Sequence, residues 1–291
     1  MPVAVVTDSS ANLPDEVAEE HGIVVVPLQV VIGADTYDET EESATPEAVA
    51  EALREFVPVS TSRPAPQRFA ETFERLAAEG YDAVVAVHLS SEMSGTLEAA
   101  QLAAKDAPLP VTVVDTRQVG IATGYAALTA AEHAAAGEPA DVVARAARER
   151  ADAATSLFYV DTLEYLRRGG RIGAAAALVG GALAVKPLLE ILDGRVQTKE
   201  KVRTAGKALA RIEELAAEAS GDQTVDVCVL HLASQARAEQ LRDDLSERLA
   251  EQLEGRPVWC GELGAALGAH VGPGMVAVCV APRVASLSTA G

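Results

Sequence analysis

The sequence is poor in aromatic residues and in positive charge. Aromatic side chains make up 3% of its 291 residues, with a single tryptophan, and the net charge is −19. Unpaired bases stack on aromatic rings, and clustered Lys and Arg side chains neutralise nucleic acid phosphates. The composition therefore argues against a nucleic acid partner, and the negative charge also opposes binding to anionic lipid surfaces.

Cysteine and the common catalytic motifs are scarce as well. Cys228, Cys260 and Cys279 are odd in number and form no CxxC pair, which predicts buried thiols in a reducing cytoplasm and no metal site. The chain has no GxxxxGK[ST], HExxH or GxSxG segment and no GxGxxG after its first strand. Ser94 has no evident base near it in the sequence. We therefore expect no self-sufficient catalysis and no cofactor apart from a bound ligand.

Long hydrophobic runs are absent too. One long uncharged stretch, residues 172–185, has 14 residues, includes three glycines and ends at Lys186. A membrane span needs about 20 apolar residues, so this stretch predicts a buried helix over 174–183 and no membrane span. Met1-Pro2 leads straight into a predicted strand without an apolar signal core, and we therefore expect a cytoplasmic protein.

The first half of the sequence alternates strand and helix patterns. Strands are predicted at 3–7, 24–31, 83–89 and 111–115, with helices between and after them. This alternation predicts an α/β domain over residues 1–152, with a parallel sheet between helices and ligand groups at the carboxyl ends of its strands.

The second half predicts a different α/β domain over residues 153–284. A turn at Asp193-Gly194 between two extended segments is a hairpin signal, so this sheet is expected to be mixed. Further predictions are a helix over 235–253 and a loose tail over 285–291.

An apolar run over 84–89 ends in Ser90-Ser91-Glu92-Met93-Ser94-Gly95-Thr96 and then becomes helical. Backbone N–H groups and the dipole at a helix start favour a negative charge. No Lys or Arg lies within the turn, which favours a carboxylate over a polyphosphate. The turn therefore predicts a seat for a singly charged anion.

Two other polar segments are candidates for the same site. Ser60-Thr61-Ser62-Arg63-Pro64 is rich in hydroxyl groups, although a loop that caps the next helix would look the same. His270 lies in a turn with three glycines, where it could donate to an anion or hydrogen-bond within the turn. The sequence leaves both readings open.

Positive charge is concentrated in one segment. Residues 163–211 contain ten basic and four acidic side chains, a balance of +6 in an acidic chain. Such a segment is typical of a docking or phosphate-facing surface, and pairing with acidic neighbours elsewhere in the fold is the alternative.

Taken together, the segments resemble the DegV family of bacterial fatty-acid-binding proteins. The resemblance covers nearly the whole chain. Each short motif is a weak signal alone, but the order of all of them along the chain is highly specific. The matching segments are Val5-Val6-Thr7-Asp8-Ser9-Ser10, Thr61-Ser62, Leu89-Ser90-Ser91 with Ser94-Gly95-Thr96, Leu163 to Ile172 (LEYLRRGGRI), Val185-Lys186-Pro187-Leu188-Leu189, Lys201-Val202-Arg203 and His270-Val271-Gly272-Pro273-Gly274.

The resemblance implies two α/β domains and a long-chain fatty acid, such as palmitate, buried between or beneath them. A separate fatty acid kinase would phosphorylate the carboxylate to an acyl phosphate, and the run 172–183 would help line the acyl tunnel. The residues implied to surround the carboxyl group are Thr61, Ser62, Ser94, Gly95, Thr96 and His270. Those implied to face the kinase or the new phosphate are Arg167, Arg168, Arg171, Lys201 and Arg203.

One position departs from the family pattern, because Arg63 stands where glutamine is common. Two other functions stay open. The first is a subunit like that of dihydroxyacetone kinase, which would hold a small ketose through His270 or His88. The second is a hydrolase acting through Ser94, which lacks a base. The leading interpretation is a carrier that binds a fatty acid and does not itself catalyse.

Overall fold

The computed structural model describes residues 2–40, 43–178 and 186–283. Its strands are β1 Val3–Asp8, β2 Ile23–Val26, β3 Gln29–Ile32, β4 Asp35–Asp38, β5 Val59–Ser62, β6 Ala83–His88, β7 Val111–Asp115, β8 Thr155–Tyr159, β9 Lys186–Leu192, β10 Arg195–Val202, β11 Val225–His231, β12 Trp259–Glu262 and β13 Val276–Pro282. Its α-helices are α1 Asp15–Glu20, α2 Pro46–Arg54, α3 Pro66–Ala78, α4 Thr96–Ala104, α5 Ile121–Ala135, α6 Ala140–Ala153, α7 Glu164–Arg168, α8 Ala205–Ser220, α9 Gln235–Arg248, α10 Ala250–Leu253 and α11 Ala265–Val271.

The first sheet is the predicted parallel one, with strand order β2-β1-β6-β7. Every residue of β1 and β6 is buried, because helices cover both faces of the sheet. Val5 and Val85 pack with α5 and α6, whereas Val6 and Val84 pack with α3 and α4. The prediction of a parallel sheet between helices is confirmed.

The second sheet has six strands in the order β10-β9-β8-β13-β11-β12 and is mixed, as predicted. Its β11–β12 pair is parallel and the other pairs are antiparallel. The hairpin between β9 and β10 turns at Asp193 and Gly194, which both have positive φ, 53° and 77°. Two consecutive positive φ values are what a tight two-residue hairpin turn requires, and Asp-Gly supplies them at low cost.

A third, antiparallel sheet of three strands, β4-β3-β5, was not predicted. The strand expected at 24–31 is two strands, because the chain leaves the first sheet at Pro27 and enters the third as β3. The hydroxyl-rich segment around Thr61 is likewise part of strand β5 and not a loop. The sequence does not show this change of sheet, because the mostly apolar run 24–31 continues from β2 into β3.

The buried helix predicted over 174–183 is wrong for the part that the structure describes. Residues Gly173–Leu178 form a 3-10 helix in which Ala174, Ala176 and Ala177 are exposed and Ala175 is buried. Alanine side chains bury little apolar area, so their number alone does not force a helix into the core. Residues 179–183 lie outside the described residues, as does the predicted loose tail. The helix predicted over 235–253 breaks at Leu249 into α9 and α10.

The two main sheets are joined by a shared apolar core. One face of the six-stranded sheet packs on α8 and α9, and its other face turns towards the first half of the chain. There Phe158, Leu230 and Cys279 lie in one cluster with Ile121 and Tyr125 of α5. The domain boundary at residue 152 stays a prediction. No helix in the described segments has the length and apolar character that crossing a bilayer requires.

Candidate functional site

A cavity lies in this shared core, between the six-stranded sheet, helix α11 and the segments that follow strands β2, β6 and β7 of the first half. Its empty volume is about 920 Å³, including the part that is open to solvent. Most of its lining is apolar, which suits a hydrocarbon and not a small polar metabolite. Representative lining residues are Val119, Ile121, Phe158, Ile191, Leu230 and Leu267.

Four polar side chains of the lining come from segments that contact one another: Thr61 on β5, Ser94 before α4, Arg171 after α7, and His270 in the last turn of α11. These segments are far apart in the sequence, and the fold brings them together in a cavity whose lining is otherwise apolar except for Ser156. The arrangement can hold a single polar head group.

His270 joins two of these segments. Its Nε2 forms a hydrogen bond of 2.8 Å with Thr61 Oγ1, and its Nδ1 is buried without a hydrogen-bond partner among the described residues. Burial and the nearby Arg171 guanidinium lower the pKa of His270 to about 4. The imidazole is therefore neutral near pH 7 and acts there as a neutral hydrogen-bonding group.

The position of His270 depends on how α11 begins. Glu39 Oε1 accepts the Ala266 N–H at 2.8 Å, and Asn12 Oδ1 accepts the Gly264 N–H at 2.6 Å. Ser9 donates its hydroxyl to the other oxygen of Glu39. Burial raises the pKa of Glu39, while the hydrogen bonds from the Ser9 hydroxyl and the Ala266 N–H oppose that rise. No local sequence pattern pointed to Glu39 or Asn12, because their partners at the start of α11 are over 200 residues away.

Gly169 packs directly against the imidazole. A Cβ at this position would lie 2.2 Å from His270 Nδ1, so only glycine leaves room for the ring. The same residue accepts a 2.6 Å hydrogen bond from Arg171 Nη1 through its carbonyl. One segment thus supports both His270 and Arg171.

The turn that precedes α4 has its own hydrogen bonds. Ser94 Oγ lies 2.9 Å from Thr96 Oγ1 and accepts the Thr96 N–H at 3.3 Å. Thr96 is fully buried and Gly95 is the N-cap of the helix. Ser94 lines the cavity, so it is the hydroxyl of this turn that a bound head group would meet.

Cations reach this turn from elsewhere in the fold, although its local sequence has none. Arg171 Nε donates to Met93 O at 3.1 Å. Arg63 Nη1 donates to Gly95 O at 3.3 Å and pairs with Glu98 at 2.7 Å. The turn itself contains no Lys or Arg, so the cation that lines the cavity beside it, Arg171, comes from a distant segment.

Ser62 is not brought into the cavity. Residues alternate across β5, so Ser62 lies on the face opposite Thr61, where it is exposed. Its hydroxyl donates to Arg63 O at 3.3 Å. Among the hydroxyl residues that the sequence predicted, Thr61 and Ser94 line the cavity and Thr96 supports Ser94.

The basic segment is partly neutralised. Arg167 and Arg168 both pair with Glu164, whose pKa they lower to about 2 through hydrogen bonds. Lys201 and Arg203 are exposed and have no ion pair with any described residue. Several other basic residues of the segment pair with acidic neighbours: Lys186 with Asp161, Arg195 with Glu92, Lys199 with Glu190, and Arg211 with Glu200, Glu214 and Glu218.

His88 lies elsewhere, in a buried polar contact between β1 and β6. Its Nδ1 is 2.8 Å from Asp8 Oδ2, and its ring packs edge-on against Phe69 with ring centroids 5.1 Å apart. It does not line the cavity. Of the two histidines considered for ligand binding, His270 is at the cavity and His88 is not.

Comparisons with known proteins agree with this architecture. The family model described as "Uncharacterised protein, DegV family" matches residues 2–283. A DegV domain-containing protein of Streptomyces coelicolor is 51% identical over 281 residues, covering 97% of this chain and 99% of its own length.

Two solved structures are similar throughout. A DegV family protein from Thermus thermophilus, described for its fatty acid binding, is 32% identical with a TM-score of 0.88, covering 97% of this chain and all of its own. DegV of Bacillus subtilis, described as a fatty acid binding protein, is 32% identical with a TM-score of 0.87, covering 97% of this chain and 99% of its own.

Proposed function

The chain belongs to the DegV family, and on that premise we propose that it binds a long-chain fatty acid and carries it without catalysing a reaction on it. The acyl chain would occupy the cavity between the two sheets, and its carboxyl group would lie at Thr61, Ser94, Arg171 and His270. The similar proteins of Thermus thermophilus and Bacillus subtilis are described as fatty acid binding, which supports the proposal.

The observation that supports the proposal most strongly is that one cavity combines apolar walls with a cluster of polar groups. Its walls are apolar, with polar groups gathered from four segments around His270. Each buried methylene contributes about 0.8 kcal/mol, so a long acyl chain supplies most of the affinity. The polar groups then need only position the carboxylate.

Each polar group has a distinct role in this proposal. The Ser94 and Thr61 hydroxyls and the neutral His270 imidazole would hydrogen-bond the carboxylate, with Gly95 and Thr96 shaping the turn. Arg171 already donates to two carbonyl groups, Met93 O and Gly169 O, so its charge would attract the anion while its position stays fixed. Ser62, on the opposite face of β5, would contribute through the backbone only.

We further propose that the bound acid is presented to a separate kinase in the cytoplasm. A carboxylate oxygen would attack the γ-phosphorus of ATP on that enzyme, forming an acyl phosphate while ADP leaves. Arg167 and Arg168 are exposed on α7, just before Arg171 of the site, and Lys201 and Arg203 are exposed at the end of β10. These four residues would meet the kinase or the new phosphate. Hydroxylamine converts acyl phosphates into hydroxamates, so mass spectrometry of loaded protein treated with ATP and host extract tests this step.

The two alternative functions are less well supported. A small ketose would need a compact polar pocket, whereas His270 faces a large apolar one. A hydrolase would need a base on Ser94, but Ser94 Oγ is bonded to Thr96 and His270 Nε2 to Thr61. Neither arrangement activates the serine.

The direct test compares ligands that differ only in the head group. Delipidated protein is titrated with a long-chain fatty acid and with the alcohol of the same length. The acid should bind at least tenfold more tightly, because only the acid has a carboxylate to interact with Arg171 and the hydroxyl groups. Equal affinities would contradict the head-group assignment, and no binding of either would contradict the function.

A further inference from the structure

A second cleft lies on the far side of the shared core, between α5 and α6 of the first half and β11 and β13 of the second. Its empty volume is about 660 Å³, including space open to solvent. Polar and aromatic side chains dominate its walls: His21, Thr129, Arg150, Arg256, Trp259 and Arg283. None of these residues lines the fatty acid cavity.

Three guanidinium groups converge on one carboxylate in this cleft. Asp226 pairs with Arg150, with Arg256 at 3.3 Å and with Arg283 at 3.2 Å. Glu132, which also lines the cleft, pairs with Arg283 at 3.0 Å, and Glu254 pairs with Arg256 at 3.4 Å. Two oxygens of Asp226 cannot fully satisfy three guanidinium groups, each of which has five N–H donors.

One of these donors is buried and unused. Arg150 is 2% exposed, and its Nε has no hydrogen-bond partner among the described residues, whereas the buried Nε of Arg256 lies 3.3 Å from Asp226 Oδ1 without hydrogen-bond geometry. Leaving a charged donor unpaired in the interior is costly. Burial lowers the pKa of Arg150, the contact with Asp226 opposes this shift, and the neighbouring Arg283 adds to it.

We propose that this cleft binds the phosphate group of a small phosphate-containing molecule or free phosphate. The planar guanidinium groups of Arg256 and Arg283 suit phosphate oxygens, and the buried Arg150 adds positive charge to the cleft. Trp259, which packs on Tyr125 with ring centroids 5.5 Å apart, forms an apolar wall for the rest of such a molecule. This site is independent of fatty acid binding.

The chain provides its own probe for this site, because Trp259 is its single tryptophan. We would titrate the protein with inorganic phosphate and with glycerol 3-phosphate at constant ionic strength, following Trp259 fluorescence and, independently, calorimetry. Saturable binding of at least one is expected. Tighter binding of glycerol 3-phosphate would identify an organic phosphate, and equal affinity would identify free phosphate.

Variants separate this site from the others. Arg256→Gln and Arg283→Gln should each weaken phosphate binding at least tenfold and leave fatty acid binding unchanged. Arg248→Gln removes an arginine that pairs with Glu213 outside the cleft and should have no effect. The proposal is overturned if wild-type protein shows no saturable phosphate binding, if both cleft variants bind as wild type does, or if Ser94→Ala abolishes the binding, since phosphate would then occupy the head-group site.

Discussion

His270 Nε2 and Thr61 Oγ1 lie 2.8 Å apart although 209 positions separate the two residues in the chain. The contact joins the end of α11 to the middle of β5 at the polar part of an apolar cavity. It makes the proposed head-group site a product of the whole fold, and the first three predictions below concern this site.

Removing one hydroxyl of the site should weaken fatty acid binding without unfolding the protein. We expect Ser94→Ala to lower affinity about 10- to 100-fold, since a hydrogen bond to a charged group contributes roughly 1.5–3 kcal/mol. Titration of delipidated protein measures the change. Ser91→Ala is the matched control, because Ser91 is exposed in the same turn and bonds Asp115 outside the cavity. Equal loss in both variants would mean that the turn as a whole, and not Ser94, matters.

Gly169→Ala should displace the His270 imidazole. The new Cβ would fall 2.2 Å from His270 Nδ1, which forces the ring away from Thr61. We expect fatty acid affinity to fall at least tenfold while the circular dichroism spectrum stays native. Gly206→Ala is the control, because a Cβ there meets nothing within 4 Å. Unchanged binding in Gly169→Ala would show that the imidazole position is not critical.

The low pKa of His270 predicts an acid-sensitive contribution to stability. Its folded-state pKa is about 4 and its ordinary value is 6.5, so protonation favours the unfolded chain. The contribution is complete above pH 6.5 and is lost as the pH falls towards 4, by up to about 3 kcal/mol. Denaturant unfolding of ligand-free wild type and His270→Gln between pH 4 and 8 measures it. The stability difference between the two proteins should change with pH over this range; a constant difference would be inconsistent with a buried neutral imidazole.

The carboxyl pair Glu47 and Glu262 predicts the opposite dependence on pH. Burial and the neighbouring Glu47 raise the pKa of Glu262 to about 7, so the folded protein favours its protonated form. Stability from this group is present below about pH 4.5 and is lost as the pH rises through 7. Glu262→Gln should therefore be more stable than wild type at pH 8, by about 1 kcal/mol because solvent screens this partly exposed carboxyl, and by much less at pH 5. The exposed Glu251→Gln serves as the control, and equal gains at both pH values would refute the assignment.

Regular, local patterns made much of the fold predictable. The alternation of strands and helices predicted the parallel sheet, and Asp193-Gly194 predicted the hairpin, because each depends on neighbouring residues. The third sheet was missed, since β3 continues the apolar run of β2 and differs from it in pairing with β4 and, about 30 positions later, with β5. Likewise, the run after Gly173 was apolar enough for a buried helix, but small side chains gave it little reason to be buried.

The candidate site was predictable in its residues more than in their geometry. Motif order singled out Thr61, Ser94 and His270, which line one cavity. The same reasoning placed Ser62 beside Thr61 without allowing for the alternation of β5, and assigned Arg171 to a partner surface. Glu39, which holds the start of α11, had no sequence signal at all. Its role depends on a contact across 227 positions that no local pattern encodes.

The most direct test of the account is the ligand that the protein itself retains. Purified protein should be extracted with organic solvent and the extract quantified by mass spectrometry, alongside Ser94→Ala and Ser91→Ala prepared in parallel. We predict close to one long-chain fatty acid per chain for wild type and Ser91→Ala, and clearly less for Ser94→Ala. Protein that is consistently free of lipid and binds dihydroxyacetone instead would contradict the proposed function.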